Sequence, residues 1–135
     1  MIYILRSDDR ISGDTNNFTL QLSNNHLINK NKKYIVYLKS ILPIMNVDGT
    51  FIELNIKGLG SSYVYDTKSQ NIENNILKYL SHTDNENTLY YPKYILNSLD
   101  LSTIEIQVFD IFNNELADVN KLIIVLELQE LQELD

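Results

Sequence analysis

The sequence has no cysteine and no tryptophan, and several other chemically useful residue types are scarce. Its 135 residues include two His, two Pro and four Gly. Without Cys there is no disulfide framework, no thiolate metal site and no cysteine nucleophile, so stability has to come from packing. No run approaches the ~20 apolar residues of a membrane-spanning helix. The first residues lack the charged, apolar and small-residue order of a signal peptide, so we expect a soluble protein made in a cytosol.

Positive charge is also in short supply. Eleven basic residues stand against 18 acidic ones, a net charge of −7. The one basic cluster, Lys30, Lys32 and Lys33, is too small for the footprint of a nucleic-acid-binding protein. We therefore expect no nucleic-acid partner. His26 and His82 both fall in predicted loops, and neither indicates a metal or a cofactor.

Catalytic patterns are missing as well. A serine triad needs a His held beside a nucleophile, and the chain contains no Gly-x-Ser-x-Gly elbow. The Gly-rich segment 58–62 lacks the Lys-Ser/Thr ending of a phosphate-binding loop. A pair of carboxylates acting as a glycosidase stays open, because 18 acidic residues allow many pairs. We expect no enzyme and predict no catalytic residue.

What is abundant is sequence that forms β-strands, with nine Tyr and four Phe. Short apolar or alternating runs separated by turn residues predict strands at 18–22, 34–42, 51–56, 63–65, 103–109 and 121–128. Segment 1–5 is expected to be an edge strand or a lead-in arm, and Pro92 confines segment 89–96 to an edge strand or a bulge. Segment 34–42 is apolar on both faces, which predicts a central strand or a contact surface, and Pro43 is expected to end its pairing. Asp48 and Gly49 predict a tight hairpin into the strand at 51–56.

Segment 71–80 shows a different period. Ile72, Ile76, Leu77 and Leu80 recur at helical spacing, which predicts a helix of about ten residues. Strands with no βαβ rhythm favour an all-β fold, a single jelly-roll antiparallel β-sandwich with one short helix. We expect one domain over residues 1–128, in which 1–17 form an N-terminal arm and charged loop. Residues 129–135 read as an acidic, Leu-rich C-terminal tail.

The opening segment carries a recognisable pattern. Ser7 or Asp8 leads to Arg10, then to Ser12-Gly13, and the loop runs into Asn17-Phe18-Thr19. This pattern resembles the opening of the penton (vertex) proteins of virophages, polinton-like viruses and some large DNA viruses. Gly13 can adopt positive φ without steric cost, as a tight turn before a strand requires.

Further segments resemble the same family in the same order. They are the strand ending in Pro43, the Gly60-to-Tyr63 loop with the helix at 71–80, and a closing hairpin that turns at 113–115. The chain departs from the family at Ile44-Met45-Asn46, where an Asn and an aromatic-Asn pair are usual. It also lacks the usual Pro before Gly60.

The resemblance implies a capsid subunit, five copies of which close each icosahedral vertex of a virion after synthesis in the host cytoplasm. Its partners would be further copies of itself, as a homopentamer, and the major capsid protein. A ring of five is joined head to tail, so two different surfaces of each subunit must match.

We predict three groups of contact residues on that basis. The charged loop is one surface, the central strand and the Tyr cluster are another, and the tail docks on a neighbouring capsomer. The residues are Arg6, Asp8, Asp9, Arg10 and Asp14; Tyr37, Tyr90, Tyr91 and Tyr94; and Leu131 and Leu134. The two Arg side chains pair either with Asp residues of a neighbour or with those of their own loop.

Two alternatives remain at this point. The Tyr cluster is typical both of a binding face and of a core with satisfied hydroxyl groups. A carbohydrate- or ligand-binding β-sandwich is therefore the main alternative, although sugar-binding modules favour an exposed Trp and the chain has none. The other alternative is a minor or cementing protein elsewhere in the shell.

Overall fold

A computed structural model describes residues 1–22, 31–45, 51–60, 63–67, 70–82, 85–90, 92–96, 102–110, 112, 114–116 and 119–131. Within these ranges nearly all regular structure is β. The strands are β1 (Ile2–Arg6), β2 (Ser12–Asp14), β3 (Asn17–Gln21), β4 (Tyr34–Met45), β5 (Phe51–Lys57), β6 (Tyr63–Asp66), β7 (Asn71–Asn74), β8 (Ile76–His82), β9 (Asn85–Tyr90), β10 (Tyr94–Leu96), β11 (Thr103–Asp110) and β12 (Val119–Glu130).

The strands form two facing antiparallel sheets and a separate ribbon. The four-stranded sheet has the order β1-β12-β4-β10, and the six-stranded sheet has the order β2-β3-β11-β5-β8-β9. β6 and β7 pair only with each other, as a two-stranded ribbon. The predicted all-β antiparallel sandwich is confirmed.

The core lies between the two sheets and follows from the alternation of the strands. Every second residue of β11 and β12 is buried in it, namely Ile104, Ile106, Val108, Leu122, Ile124, Leu126 and Leu128. β4 lies between β12 and β10, so the prediction of a central strand is confirmed. Its Val36 is fully buried, because it faces the core from the middle of its sheet.

The hydrogen-bonded strand pairs are nested along the chain. β1 pairs with β12, β3 with β11, β4 with β10, and β5 with β8, all antiparallel. The outer pairs of this series enclose the inner ones in sequence. Successive pairs alternate between the two sheets, so the chain wraps around the core as a folded-over hairpin.

The helix predicted at 71–80 is wrong. Asn75 has φ +58°, and it separates the ribbon strand β7 from β8. Ile72 lies exposed on the ribbon, whereas Ile76 and Leu77 are both buried, on opposite faces of β8. β8 carries apolar residues on both faces. Together with Ile72 of β7, these residues recur at the same intervals as the apolar residues on one face of a helix, so the sequence pattern predicts a helix. In the described part of the chain, the helical structure is the 3-10 turn Ser7–Asp9.

Both predicted hairpins are also wrong. β4 and β5, on either side of Asp48 and Gly49, belong to different sheets, so this connection crosses the sandwich. The turn residues themselves lie outside the described residues. β11 and β12, which flank the turn at 113–115, are likewise in different sheets. The predicted strand at 89–96 divides in the same way, because β9 and β10 are edge strands of opposite sheets with Pro92 between them.

Pro43 does not end the pairing of β4, contrary to prediction. It lies opposite Leu122, and β4 continues to Met45. The Leu122 N–H donates to Ser7 Oγ on the β1 side of β12, so the Leu122–Pro43 pair is not hydrogen-bonded. The Pro43 nitrogen therefore points away from β12. β10 pairs only with the first three residues of β4, so no ladder bond needs the missing N–H.

Candidate assembly surfaces

The opening loop, residues 7–14, begins with a buried serine that extends the first strand pair. Ser7 follows β1 and is 1% exposed. Its Oγ accepts a hydrogen bond from the Leu122 N–H at 3.1 Å, where a further residue of β1 would otherwise pair with β12. Its carbonyl oxygen accepts from the Arg10 N–H at 3.2 Å and closes the 3-10 turn. One serine thereby ends the strand and starts the loop without leaving the Leu122 N–H unsatisfied.

Arg10 braces the loop through carbonyl oxygens. Its Nη1 donates to Ser7 O at 2.9 Å and its Nε donates to Gly13 O at 3.1 Å. The expected pairing of this side chain with an Asp of its own loop is therefore replaced by bonds to the backbone. Asp8 instead lies 3.6 Å from Lys121 Nζ at the start of β12, with both side chains exposed.

Gly13 closes the loop onto β3. β2 and β3 form a hairpin in which Asp14 pairs with Asn17, so two residues make the turn. Gly13 has φ +90°, and a Cβ at this position would lie 2.2 Å from Asn17 O and 2.9 Å from Phe18 Cα. No side chain fits there, and an L-residue would also be strained at this φ.

The tip of this hairpin is bonded to the far end of the chain. Thr15 Oγ1 donates to Val119 O, and Asn16 Nδ2 donates to Leu116 O at 2.9 Å. Asn16 O also accepts from the Val108 N–H at 2.8 Å. The opening loop is thus held at both ends, and it presents exposed charged side chains at Asp8, Asp9, Arg10 and Asp14. Arg6, the fifth predicted charged residue, is the exposed last residue of β1.

The face of the four-stranded sheet that points away from the core is largely apolar. We call it the outer sheet face. The side chains alternate with core residues along each strand and come from β1, β12, β4 and β10: Ile2, Ile4, Ile123, Val125, Ile35, Tyr37, Leu42 and Ile95. About half of the Ile2, Ile4, Leu42 and Ile95 surfaces remain exposed. Four strands therefore contribute apolar side chains to one face.

A charged group crosses the outer sheet face. Lys39 Nζ lies 3.0 Å from Glu127 Oε2, and Gln129 Nε2 donates to Glu127 Oε1 at 2.6 Å. The hydrogen bond from Gln129, and then the bond from Lys39, hold the pKa of the Glu127 carboxyl below its ordinary value. Lys39 and Lys93 lie 5.3 and 5.5 Å from the centre of the Tyr37 ring. Tyr37, a predicted contact residue, therefore lies on this face between two cations.

Tyr94 has an internal role. Its hydroxyl donates to Lys78 O at 2.9 Å and accepts from the Lys78 N–H at 3.1 Å. Its ring meets that of Tyr79 edge to face at 5.7 Å. Tyr94 thus bonds β10, an edge strand of one sheet, to β8, the strand next to the edge of the other. Burial, and then the neighbouring Tyr94, raise the pKa of the Tyr79 hydroxyl far above its ordinary value.

Of the predicted Tyr cluster, the structure describes the side chain of Tyr94 alone. For Tyr94 the core interpretation is confirmed. Tyr90 ends β9, and the description there covers its backbone alone. Tyr91 lies outside the described residues.

The predicted tail begins inside a strand. β12 continues to Glu130, and the Leu131 N–H donates to Lys33 O at 2.8 Å. Leu131 is half-buried against the sheet, and Leu134 lies outside the described residues.

The ribbon is a surface that the sequence did not predict. Leu77 and Tyr79 of β8 face the core, so Lys78 between them in sequence projects from the outer side of the six-stranded sheet. Its Nζ lies 3.1 Å from Glu73 Oε2 of the ribbon. Tyr65 and Ile72 pair across the ribbon on its other face and are 63% and 68% exposed. We call this pair the apolar ribbon face. The sequence does not indicate it, because the spacing of Ile72 predicts a helix.

No family model, curated protein or solved structure matches the chain. The described residues contain no helix long and apolar enough to cross a membrane. Over the same residues, no three His, Cys, Asp or Glu side chains are grouped so that they could hold a metal ion. The chemistry described is that of surfaces: a braced charged loop, an apolar sheet face and an apolar ribbon.

Proposed function

We propose that the chain is a structural capsid subunit, a penton protein that assembles as a ring of five at icosahedral vertices and contacts the major capsid protein. The observation that carries this proposal is the construction of the opening loop. The pattern that resembles the penton family consists of residues that build this loop, with Ser7, Arg10 and Gly13 each fixing one part of it. The resemblance therefore rests on residues that act together in the fold.

The strand order supports a jelly roll, the fold that the resemblance implies. Four nested antiparallel pairs that alternate between two sheets are what a jelly roll of eight strands requires. β2, β9 and the ribbon are additions outside those eight strands. Jelly rolls also serve as lectin domains, so the topology favours a capsid role only together with the loop.

The exposed surfaces support assembly. The 32 strand residues of the four-stranded sheet cover roughly 500 Å² at about 3.4 Å rise and about 4.8 Å strand spacing. A standard interface takes about 800 Å² from each partner, so the outer sheet face alone offers more than half of that area. Because the loop is braced before contact, little ordering entropy is lost when it binds.

The ligand-binding alternative loses part of its basis. It depended on a platform of three Tyr residues, and the Tyr94 hydroxyl is bonded to the Lys78 backbone between the sheets. A minor or cementing capsid protein would share the opening loop, and the number of subunits in the assembly separates that role from a vertex role.

Light scattering over a concentration series tests the proposal. A monomer has a mass of 15.7 kDa, and the proposal predicts a species of about 78 kDa that gains population as concentration rises. The fraction in this species should change with salt if the charged loop contributes to contacts. A trimer, or a monomer up to the solubility limit, would count against a ring of five. Binding to a glycan array without assembly would favour the ligand-binding sandwich.

A further inference from the structure

Six of the ten exposed large apolar side chains in the described part of the chain lie on two opposite sides of the sandwich. Ile2, Ile4, Leu42 and Ile95 lie on the outer sheet face, beyond the four-stranded sheet. Tyr65 and Ile72 lie on the apolar ribbon face, beyond the six-stranded sheet. Isolated exposed apolar residues are ordinary in soluble proteins, whereas contiguous ones indicate contact sites. The fold therefore places one candidate contact site at each outer side of the sandwich.

The two sides carry opposite charge. On the outer sheet face, four cationic side chains and two anionic ones give a net charge of +2: Arg6, Lys39, Lys93 and Lys121 with Glu127 and with Asp8, which pairs with Lys121 from the loop. On the other side, four carboxylates accompany two lysines, a net charge of −2: Asp14, Glu53, Glu73 and Glu105 with Lys57 and Lys78. These counts cover side chains that the structure describes. Two outer sheet faces placed together would repel, whereas unlike sides attract.

We infer that the outer sheet face of one copy binds the apolar ribbon face of the next copy, so that copies join head to tail. A contact between two identical surfaces closes at a dimer, whereas a ring needs two different surfaces on each subunit. The outer sheet face and the apolar ribbon face meet that requirement in position, in apolar character and in charge. This inference rests on the proposed ring of five and identifies its interface, which the resemblance left open.

Tyr65 and Ile72 are suited to the contact. They project from a narrow two-stranded ribbon, and the outer sheet face offers a broad surface with Ile4, Val125 and Leu42 in neighbouring strands. Aromatic residues supply large contact area with few rotatable bonds. Arg6 and Lys93 lie toward opposite ends of that face, near the acidic side of the incoming copy.

Two variants test the inference, one for each surface. Ile4→Lys places a cation on the outer sheet face, and Ile72→Lys places one on the apolar ribbon face. Both residues are about half exposed or more, so each variant is expected to fold. Lysine is also a residue that natural edge strands use. Each variant should weaken self-association about tenfold or more, because one apolar anchor of every contact is lost. Phe112→Lys is the matched control, since Phe112 is 76% exposed and lies on neither surface.

Mixing the variants gives the sharpest outcome. The Ile4→Lys copy keeps its ribbon and the Ile72→Lys copy keeps its outer sheet face, so an equal mixture can form one intact contact. We expect each variant alone to be a monomer and the mixture to give a dimer of about 31 kDa, twice 15.7 kDa. The Phe112→Lys control should form the same rings as the wild type.

Three results would overturn the inference or its premise. If either variant alone keeps the ring, the contact lies elsewhere and the proposed ring survives. If the mixture stays monomeric although both variants are folded by circular dichroism, the two surfaces do not bind each other. Leu42→Lys and Tyr65→Lys form a second pair that gives the same test if a first variant fails to fold. A wild type that forms no ring contradicts the proposed function itself.

Discussion

Replacing Gly13 by alanine should destabilise the protein by about 3 kcal/mol, and the structure gives the reason. The backbone at Gly13 has φ +90°, a conformation that costs an L-residue about 1–2 kcal/mol. The added Cβ would lie 2.2 Å from Asn17 O, so β2 would have to shift away from β3, and such shifts cost about 1–3 kcal/mol. Alanine restricts the unfolded chain, which returns about 0.4–1 kcal/mol.

Urea denaturation measures this prediction directly. The midpoint should fall while the dependence on urea keeps its slope, because the surface exposed on unfolding is unchanged. Ser12→Ala is the control, since Ser12 is the exposed neighbour in the same short strand. A free energy of unfolding for the Gly13 variant within about 0.5 kcal/mol of wild type, the range of ordinary surface substitutions, would refute the account of the opening loop.

Two further predictions concern Tyr94 and Glu127. Tyr94→Phe removes the hydroxyl that bonds both Lys78 backbone groups, so the free energy of unfolding should drop by about 1–3 kcal/mol. An unchanged urea midpoint would contradict the role of this hydroxyl in joining the two sheets. The pKa of Glu127 is lowered in the folded state, so its small stabilising contribution is present at neutral pH and is lost as pH falls through that pKa. A carboxyl titration by NMR should show the low pKa, and Gln129→Ala should raise it; no change in the variant would exclude the Gln129 hydrogen bond as the main cause.

Alternation predicted the strands whose two faces differ, but it did not reveal β8. β11 alternates core residues with Glu105 and Gln107, and its predicted and observed ranges differ by one residue. β8 is buried on both faces, because Ile76 faces the ribbon side and Leu77 faces the core. A strand that is apolar on both faces has no period of two, so a helical spacing fitted equally well.

The connections could not be predicted from local turn residues. Asp48 and Gly49 are typical of a tight hairpin, but the same short spacing also permits a crossing between facing sheets. Which sheet receives β5 is decided by its pairing with β8 and β11, whose paired residues lie 19 to 58 positions further along the chain. Pairing over that distance is set by core packing, so the residues of the turn do not indicate it.

The sequence predicted that the opening segment forms a loop, but it did not predict the hydrogen-bond partners of the loop residues. The sequence marked Ser7 and Arg10 as motif residues, and an Asp partner was expected for the arginine. The observed bonds from Arg10 go to carbonyl oxygens, and Ser7 bonds to Leu122, 115 positions away. Such partners depend on how β12 lies beside β1, so spacing within the loop could not indicate them.

The most direct test of the central claim is the rotational symmetry of the purified assembly, determined by class averaging of electron micrographs. The account predicts five-fold rings in which the outer sheet face of each subunit meets the ribbon of the next, and it predicts their loss in Ile72→Lys. Averages with two-fold or three-fold symmetry would contradict a head-to-tail ring of five.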